Sequence, residues 1–336
     1  MNRLLLLLFI ACGISACKMI TKPTIKHDTE IDHTLVDKIN ELDMKLFAAI
    51  QLNKYYELDP YLSPELKSNK KLSFKDDVLP GLSKVLANAN YSIYDDYHVK
   101  SILPGNNIVI HTEKADTTEN GYTIHLPEAA SETYISVLKV EGNNIRYLVP
   151  MIYTRVGNNW KLHMISIGAY TAAGKNNIKL YHIAQQMEQT GDLLDAYSFA
   201  CWANDVSTIS DSLVVFDSGR DVKKYFNHIS TIFNSKYYLP FTINEIESKP
   251  RITAVEHLPL KDELLLNVTY QSFAKSDAAM KKENDAVQQF FATSFPGIYQ
   301  NNPMTAFTVT AQQYHGGKTD TFYFARYGNM GAMSTN

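Results

Sequence analysis

The chain has 336 residues, 45% of them hydrophobic and only 20% charged, which suits two ordinary domains with a sizeable core and excludes a chain disordered throughout. Its 32 basic and 35 acidic residues leave a formal charge of −3. With no basic surplus to neutralise a phosphate backbone, nucleic acid is excluded as a natural partner.

The amino terminus places Arg3 ahead of an uncharged stretch, Leu4 to Ala16, whose apolar part reaches Cys12. A positive start followed by such a run is the layout of a secretory signal. A spanning helix needs about 20 apolar residues, more than this run supplies. Ile14-Ser15-Ala16-Cys17 resembles the lipobox of bacterial lipoproteins. The resemblance implies that residues 1–16 are removed and that Cys17 carries a diacylglycerol thioether and an acylated amino group, with fatty acids such as palmitate. It implies a bacterial cell-envelope location with the lipid bilayer as partner through Cys17. Lys18, standing where retained inner-membrane lipoproteins of enteric-type bacteria carry aspartate, favours the outer membrane by the same resemblance. Removing residues 1–16 leaves 320 residues with 31 basic and 35 acidic side chains. Of the three cysteines only Cys201 then stays free, so no disulfide can form within the mature chain and the core alone must hold the fold. In Ala200-Cys201-Trp202-Ala203, on a predicted helix, we read a packed thiol.

Residues 17–29 are the anchor and a tether rich in Lys and Thr, broken by Pro23. A helix begins near Asp32, with Leu35, Ile39, Leu42, Leu46 and Ile50 at spacings of three and four, and ends at Asn53. Ser63-Pro64 marks a second helix start, with the N-cap followed by proline at the first helical position. A third helical piece over 73–89 opens on Ser73 and Asp76 in capping-box spacing, with a break expected near Leu79 because of Pro80. From Tyr91 the period becomes two. Strands are predicted over 91–102, 108–113, 133–140, 145–156 and 160–167, the last three joined by Glu141-Gly142-Asn143-Asn144 and Gly157-Asn158-Asn159 as an antiparallel meander.

Pairing Val156 with Trp160, and Val140 with Ile145, assigns the faces. One face then carries Ile135, Val137, Leu148, Pro150, Ile152, Val156, Trp160, Leu162 and Met164. The other carries Tyr134, Leu138, Tyr147, Val149, Met151, Tyr153, His163, Ile165 and Ile167. Both are apolar, so neither is expected to face water. Helices followed by strands that end in Pro150-Met151-Ile152-Tyr153-Thr154-Arg155-Val156-Gly157-Asn158-Asn159-Trp160-Lys161-Leu162 resemble the nuclear-transport-factor-2-like superfamily over about residues 30–172. The resemblance implies a curved sheet wrapped as a cone around a long helix. Some members are enzymes with a pocket inside the cone, and many exported members do no chemistry.

Residues 173–210 read as a helical hairpin connector, 178–189 and 193–204 turning at Gly191. The turn resembles one tetratricopeptide unit, and a single unit is no solenoid. Residues 211–330 read as a second α+β domain with antiparallel strands. Its predicted strands are 212–216, 239–246, 251–257, 263–273, 306–313 and 319–327, with helices over 221–233 and 277–293 and a last turn at 315–317. The expected fold class is therefore α+β throughout.

No Gly-x-Ser-x-Gly, His-Glu-x-x-His, Cys-x-x-Cys or Gly-x-Gly-x-x-Gly occurs, and no cofactor or metal is expected. His98, His111 and His125 could converge as ligands; we read them as scattered histidines instead. Asp76-Asp77 and Asp95-Asp96 are read as a solvated helix start and a strand edge. The sharpest candidate for ligand binding is Tyr153 opposite His163, with Tyr134 and Tyr147 on the same face, because histidine exchanges protons near neutral pH and phenols orient polar ligands. Against it stands a covered sheet face with one satisfied histidine. The sequence favours a membrane-anchored envelope lipoprotein with a non-catalytic binding or assembly role, whose partner is an unidentified envelope protein or small ligand. The alternatives are an envelope enzyme acting on a small molecule in the cone pocket and an accessory subunit of a larger envelope complex.

Overall fold

The computed structural model describes residues 22–68, 73–112, 121–142, 144–209, 213–261, 263–312 and 319–327. The signal, the lipobox with Cys17, and the turn at 315–317 lie outside these residues. Helices and antiparallel strands intermix in both halves, so the α+β class holds. Among the described residues, no helix is long and apolar enough to cross a membrane. The chain forms two compact units, one of residues up to 110, 125–139 and 149–166, the other of 111–124, 140–148 and 167 onward.

In the first unit the stretch expected to be tether already joins the sheet: β1 (Thr24–His27) pairs antiparallel with β2 (Asn90–Lys100), so the tether is shorter than expected. The sheet continues through β5 (Glu132–Glu141), β6 (Ile145–Val156) and β7 (Asn159–Ile165). The long helix α1 (His33–Gln51) starts where expected, with Asp32 accepting the Leu35 N–H at 3.3 Å. It stops at Asn53, whose φ of 53° closes the helix. Its buried stripe is Ile39, Asp43, Leu46, Phe47, Ala49 and Ile50, so a carboxylate sits among the apolar positions. Two one-turn helices, Tyr55–Leu58 and Pro64–Lys67, follow, and Ser63 caps the second through its Oγ. At 74–78 the chain makes a wide π-type turn and from Leu79 the α-helix α2 (Leu79–Leu86), so the change falls where Pro80 was expected to force it. Gln51 ties the two helices, donating from Nε2 to the carbonyls of Leu86 and Ala89 at 2.9 and 2.7 Å.

Thr133 to Leu138 and Leu148 to Thr154 are buried without interruption, so neither face of the meander is open along these strands, as the paired apolar faces require. The register of the last hairpin departs from expectation. Gly157, at φ 60°, gives the positive angle a two-residue turn needs, so Val156 faces Asn159 and the loop is one residue shorter than expected. Tyr153 therefore lies opposite Leu162, and Arg155 opposite Trp160. A one-residue slip turns side chains to the other face, and Trp160 and Leu162 join the Tyr153 side. A bulge between Ile152 and Tyr153 then restores the expected pairing, with Met164 on Ile152 and Ile165 on Met151. His163 is the extra residue of that bulge.

In the second unit, β8 (Gly168–Ala172), not anticipated from a stretch of small residues, pairs with residues 145–148 of β6. A small sheet orders β3 (Ile108–Thr112), β4 (Tyr122–Leu126), β10 (Val214–Phe216) and β9 (Thr208–Ile209). Helices α3 (Asn177–Thr190) and α4 (Leu193–Asp205) form the expected hairpin, turning at Gly191 with φ 87°. Helix α5 (Gly219–Lys236) packs on α4, Tyr197 and Phe233 stacking with ring centroids 4.2 Å apart. The final sheet orders β11 (Phe241–Thr242), β12 (Arg251–Leu260), β13 (Glu263–Ser272), β14 (Met304–Gln312) and β15 (Thr319–Tyr327). The strand predicted over 239–246 shrinks to two residues. The domain was expected to be antiparallel throughout, and one pair is not: β13 and β14 run parallel. Helix α6 (Asp277–Ser294) is the crossover that a parallel pair demands, and its Met280, Val287 and Phe291 cover the apolar face of the sheet.

Candidate functional site

The four side chains expected to share one face are not assembled into one site. Tyr153 and His163 are not opposite one another. Tyr153 is fully buried. His163, on the bulge, turns its Nδ1 to Ser63 Oγ at 3.3 Å and to Glu65 Oε2 at 3.7 Å, beside the one-turn helix that hangs on β7. Tyr147 falls in the second unit. Tyr134 and Tyr153 do belong to one cluster, and it is built around a buried carboxylate on α1.

That residue is Asp43. Helix α1 presents it to the sheet, where Tyr153 Oη donates to its Oδ1 at 2.5 Å and Ser136 Oγ donates to its Oδ2 at 2.7 Å. Both oxygens are thus engaged, and the carboxyl has no exposure at all. Burial pushes its pKa from 3.8 up to about 7, against the two hydroxyl donors that favour the charged form. A signal for it was present: Asp43 sits four residues after Ile39 and three before Leu46, inside the apolar stripe, where a charge demands partners.

Asp96, on β2, extends the cluster. Burial raises its pKa to about 6, and the nearby carboxylates of Asp28 and Asp95 add to the rise. Its backbone N–H donates to Asp28 Oδ1 at 2.9 Å. The Tyr134 hydroxyl lies beside the Asp96 carboxyl, and burial together with the Asp96 charge pushes its pKa far up. Asp95 and Asp96 are not at an exposed strand edge as expected; they are 3% and 6% exposed, within a run of five buried residues on β2. The arrangement holds two acids with pKa values near neutrality among phenols, and such groups can exchange a proton at physiological pH.

Around this cluster, His98 Nε2 meets Glu132 Oε1 at 3.0 Å, while Arg155 Nη1 donates to Glu132 Oε2 at 2.8 Å. Burial lowers the His98 pKa despite the glutamate. His111 instead pairs with Thr123 at 2.8 Å, so each of these histidines has its own partner. Among the described residues the three histidines do not form a ligand group.

The second unit buries a polar chain of its own. His257 Nδ1 lies 2.8 Å from Ser198 Oγ, and His257 Nε2 lies 2.8 Å from Asn302 Oδ1. An amide oxygen only accepts, so Nε2 carries the proton and Ser198 donates to Nδ1. Ser198 Oγ also accepts the His257 backbone N–H at 2.8 Å, and the Trp202 indole N–H donates to the His257 carbonyl. Asn302 Nδ2 then donates to both oxygens of Asp195, at 2.9 and 3.0 Å. Serine, histidine and acid are all present, but Ser198 and His257 are 2% and 0% exposed, so no substrate reaches the hydroxyl. Burial lowers His257 to about 4 and raises Asp195 to about 6. Cys201 is a packed thiol as expected, pushed up to about 12 by burial.

No family model, no curated protein and no solved structure matches this chain.

Proposed function

We propose that this chain is a lipid-anchored protein of the bacterial cell envelope whose folded part binds or assembles rather than catalyses. The observation that carries the proposal is Ile14-Ser15-Ala16-Cys17 at the end of an uncharged leader. Lys18 favours the outer membrane, and kinship with the nuclear-transport-factor-2-like superfamily belongs to the same proposal. Two features of the folded part support a role without chemistry. Asp43 has both oxygens engaged by hydroxyls inside a packed helix–sheet contact, and the Ser198–His257 pair is closed to solvent. Mass spectrometry of the native protein is the test. A diacylglycerol thioether on Cys17 with residues 1–16 removed is expected, and Cys17→Ala is expected to move the protein from the membrane to the soluble fraction. A free thiol at Cys17, or an intact leader, overturns the anchoring.

A second reading has its own support. The Tyr134 phenol and the Asp96 carboxyl, beside an acid with a pKa of about 7, suit an envelope enzyme moving protons on a small molecule. Tyr134→Phe, Tyr153→Phe and His163→Ala separate the two readings. If all three leave every measured ligand and partner affinity unchanged, the amino-terminal cluster is structural.

A further inference from the structure

At the carboxyl end of β1, donor atoms from β1, from the turn that follows it and from β2 converge. His27 Nε2 lies 3.1 Å from Asp28 Oδ2 and 3.5 Å from Asp95 Oδ1, and the three donors all lie within 4.8 Å of one another. Two donors each about 2.1 Å from a tetrahedral ion stand about 3.4 Å apart, so the two distances from His27 are those of a ligand set. We propose that His27, Asp28 and Asp95 bind a divalent transition metal, with zinc the fitting class, leaving at least one coordination position to water.

The surroundings hold each ligand in place. The β1–β2 register sets His27 opposite Tyr97, and the two rings stack at 4.7 Å and 21°, which fixes the imidazole plane. Asp28 is held at φ 42°, and its Oδ1 takes the Asp96 N–H, which turns Oδ2 toward the histidine. Asp95 is 3% exposed and approaches from the interior, while the side chains of His27 and Asp28 are each 45% exposed, so the open side faces solvent. A mixed imidazole and carboxylate set suits zinc better than calcium or magnesium, which prefer oxygen alone. Donors tied down by backbone and stacking contacts of this kind are what tune metal affinity. Bound metal would join β1 to β2, fixing the segment that leads directly from the tether into the sheet.

The competing account is the His27 ring bridging the two carboxyl groups with no metal. Titration of the EDTA-stripped full chain with zinc chloride, followed by calorimetry, and with cobalt(II), followed by visible absorption, separates the two. One saturating equivalent and a visible cobalt band with nitrogen and oxygen ligation are expected. His27→Gln and Asp95→Asn are expected to weaken zinc binding at least about tenfold, while His228→Gln, on an exposed histidine of another helix, leaves it unchanged. Absence of saturable binding overturns the proposal, as does binding that His27→Gln does not affect. Tighter binding of calcium than of zinc overturns the metal class. If Asp95→Asn fails to fold, the half-exposed His27→Gln decides alone.

Discussion

Each unit buries a carboxylate with less than 2% exposure, and the two solve the problem differently. Asp43 is met by two hydroxyls, Asp195 by the amide of Asn302 in a chain that also binds His257 and Ser198. Hydroxyl donors leave Asp43 and neighbouring Asp96 able to exchange protons near neutral pH, while burial holds the phenols protonated. The amide chain assigns each proton a fixed place, because Asn302 can donate only from Nδ2 and accept only at Oδ1. Their responses to pH differ accordingly. Asp43 and Asp96 are both raised, so as pH falls from about 7 the folded first unit takes up protons that the unfolded chain does not, and its stability rises. In the second unit Asp195, raised to about 6, acts in that same sense. His257, lowered to about 4, acts in the opposite one, because the unfolded histidine charges where the folded one cannot. Over the same interval the two effects offset.

The largest expected effect tests the amide chain. Asn302→Ala strips hydrogen bonds from buried Asp195 and His257 together, and chemical denaturation should show a loss of about 3–5 kcal/mol. A loss under about 1 kcal/mol would mean the chain is not continuous. Next comes the pH contrast. Relative to Asp43→Asn, wild type should gain about 3 kcal/mol between pH 8 and pH 5, since each pH unit below a pKa of about 7 contributes about 1.4 kcal/mol. Hydrogen exchange resolved by peptide should place that gain in the first unit and leave the second within about 1 kcal/mol. Tyr153→Phe removes one donor from Asp43 and should cost about 1–2 kcal/mol at pH 8 and less at pH 5, where the carboxyl is protonated. A cost that grows on acidification would reverse the assigned direction of that hydrogen bond. The smallest effect is Gly157→Ala, about 1 kcal/mol in thermal unfolding, because only the left-handed φ of 60° opposes the added methyl and no atom lies within 4 Å.

Much of the fold was legible because local chemistry settled it. Asp32, Ser63 and Ser73 cap where expected, and Gly191 turns α3 into α4. What escaped was non-local. The hairpin slip depended on whether Asn159 belonged to the turn or to the strand, and both fit the sequence equally. Strand β8 is made by its pairing with β6, since Gly168, Ala169 and Ala172 around Tyr170 and Thr171 have little strand preference of their own. The candidate site was half visible. Tyr134 and Tyr153 were chosen for their face, whereas Asp43 lay within a helix whose stripe looked wholly apolar when only the leucines and isoleucines were counted. Asn302 gives no local signal, for its importance comes from Asp195 and His257, each far away along the chain.

The parallel seam between β13 and β14 has a consequence for the order of synthesis. The partner of β13 on that side is encoded after α6, from Thr305 onward. A chain that has emerged only as far as Ser294 therefore carries β13 with one row of backbone donors and acceptors uncovered, next to the exposed side chain of Phe273. Such an edge recruits other strands. Forms that stop at Ser294 should thus clump, and a holdase that covers this edge until the segment from Thr305 has emerged should prevent it.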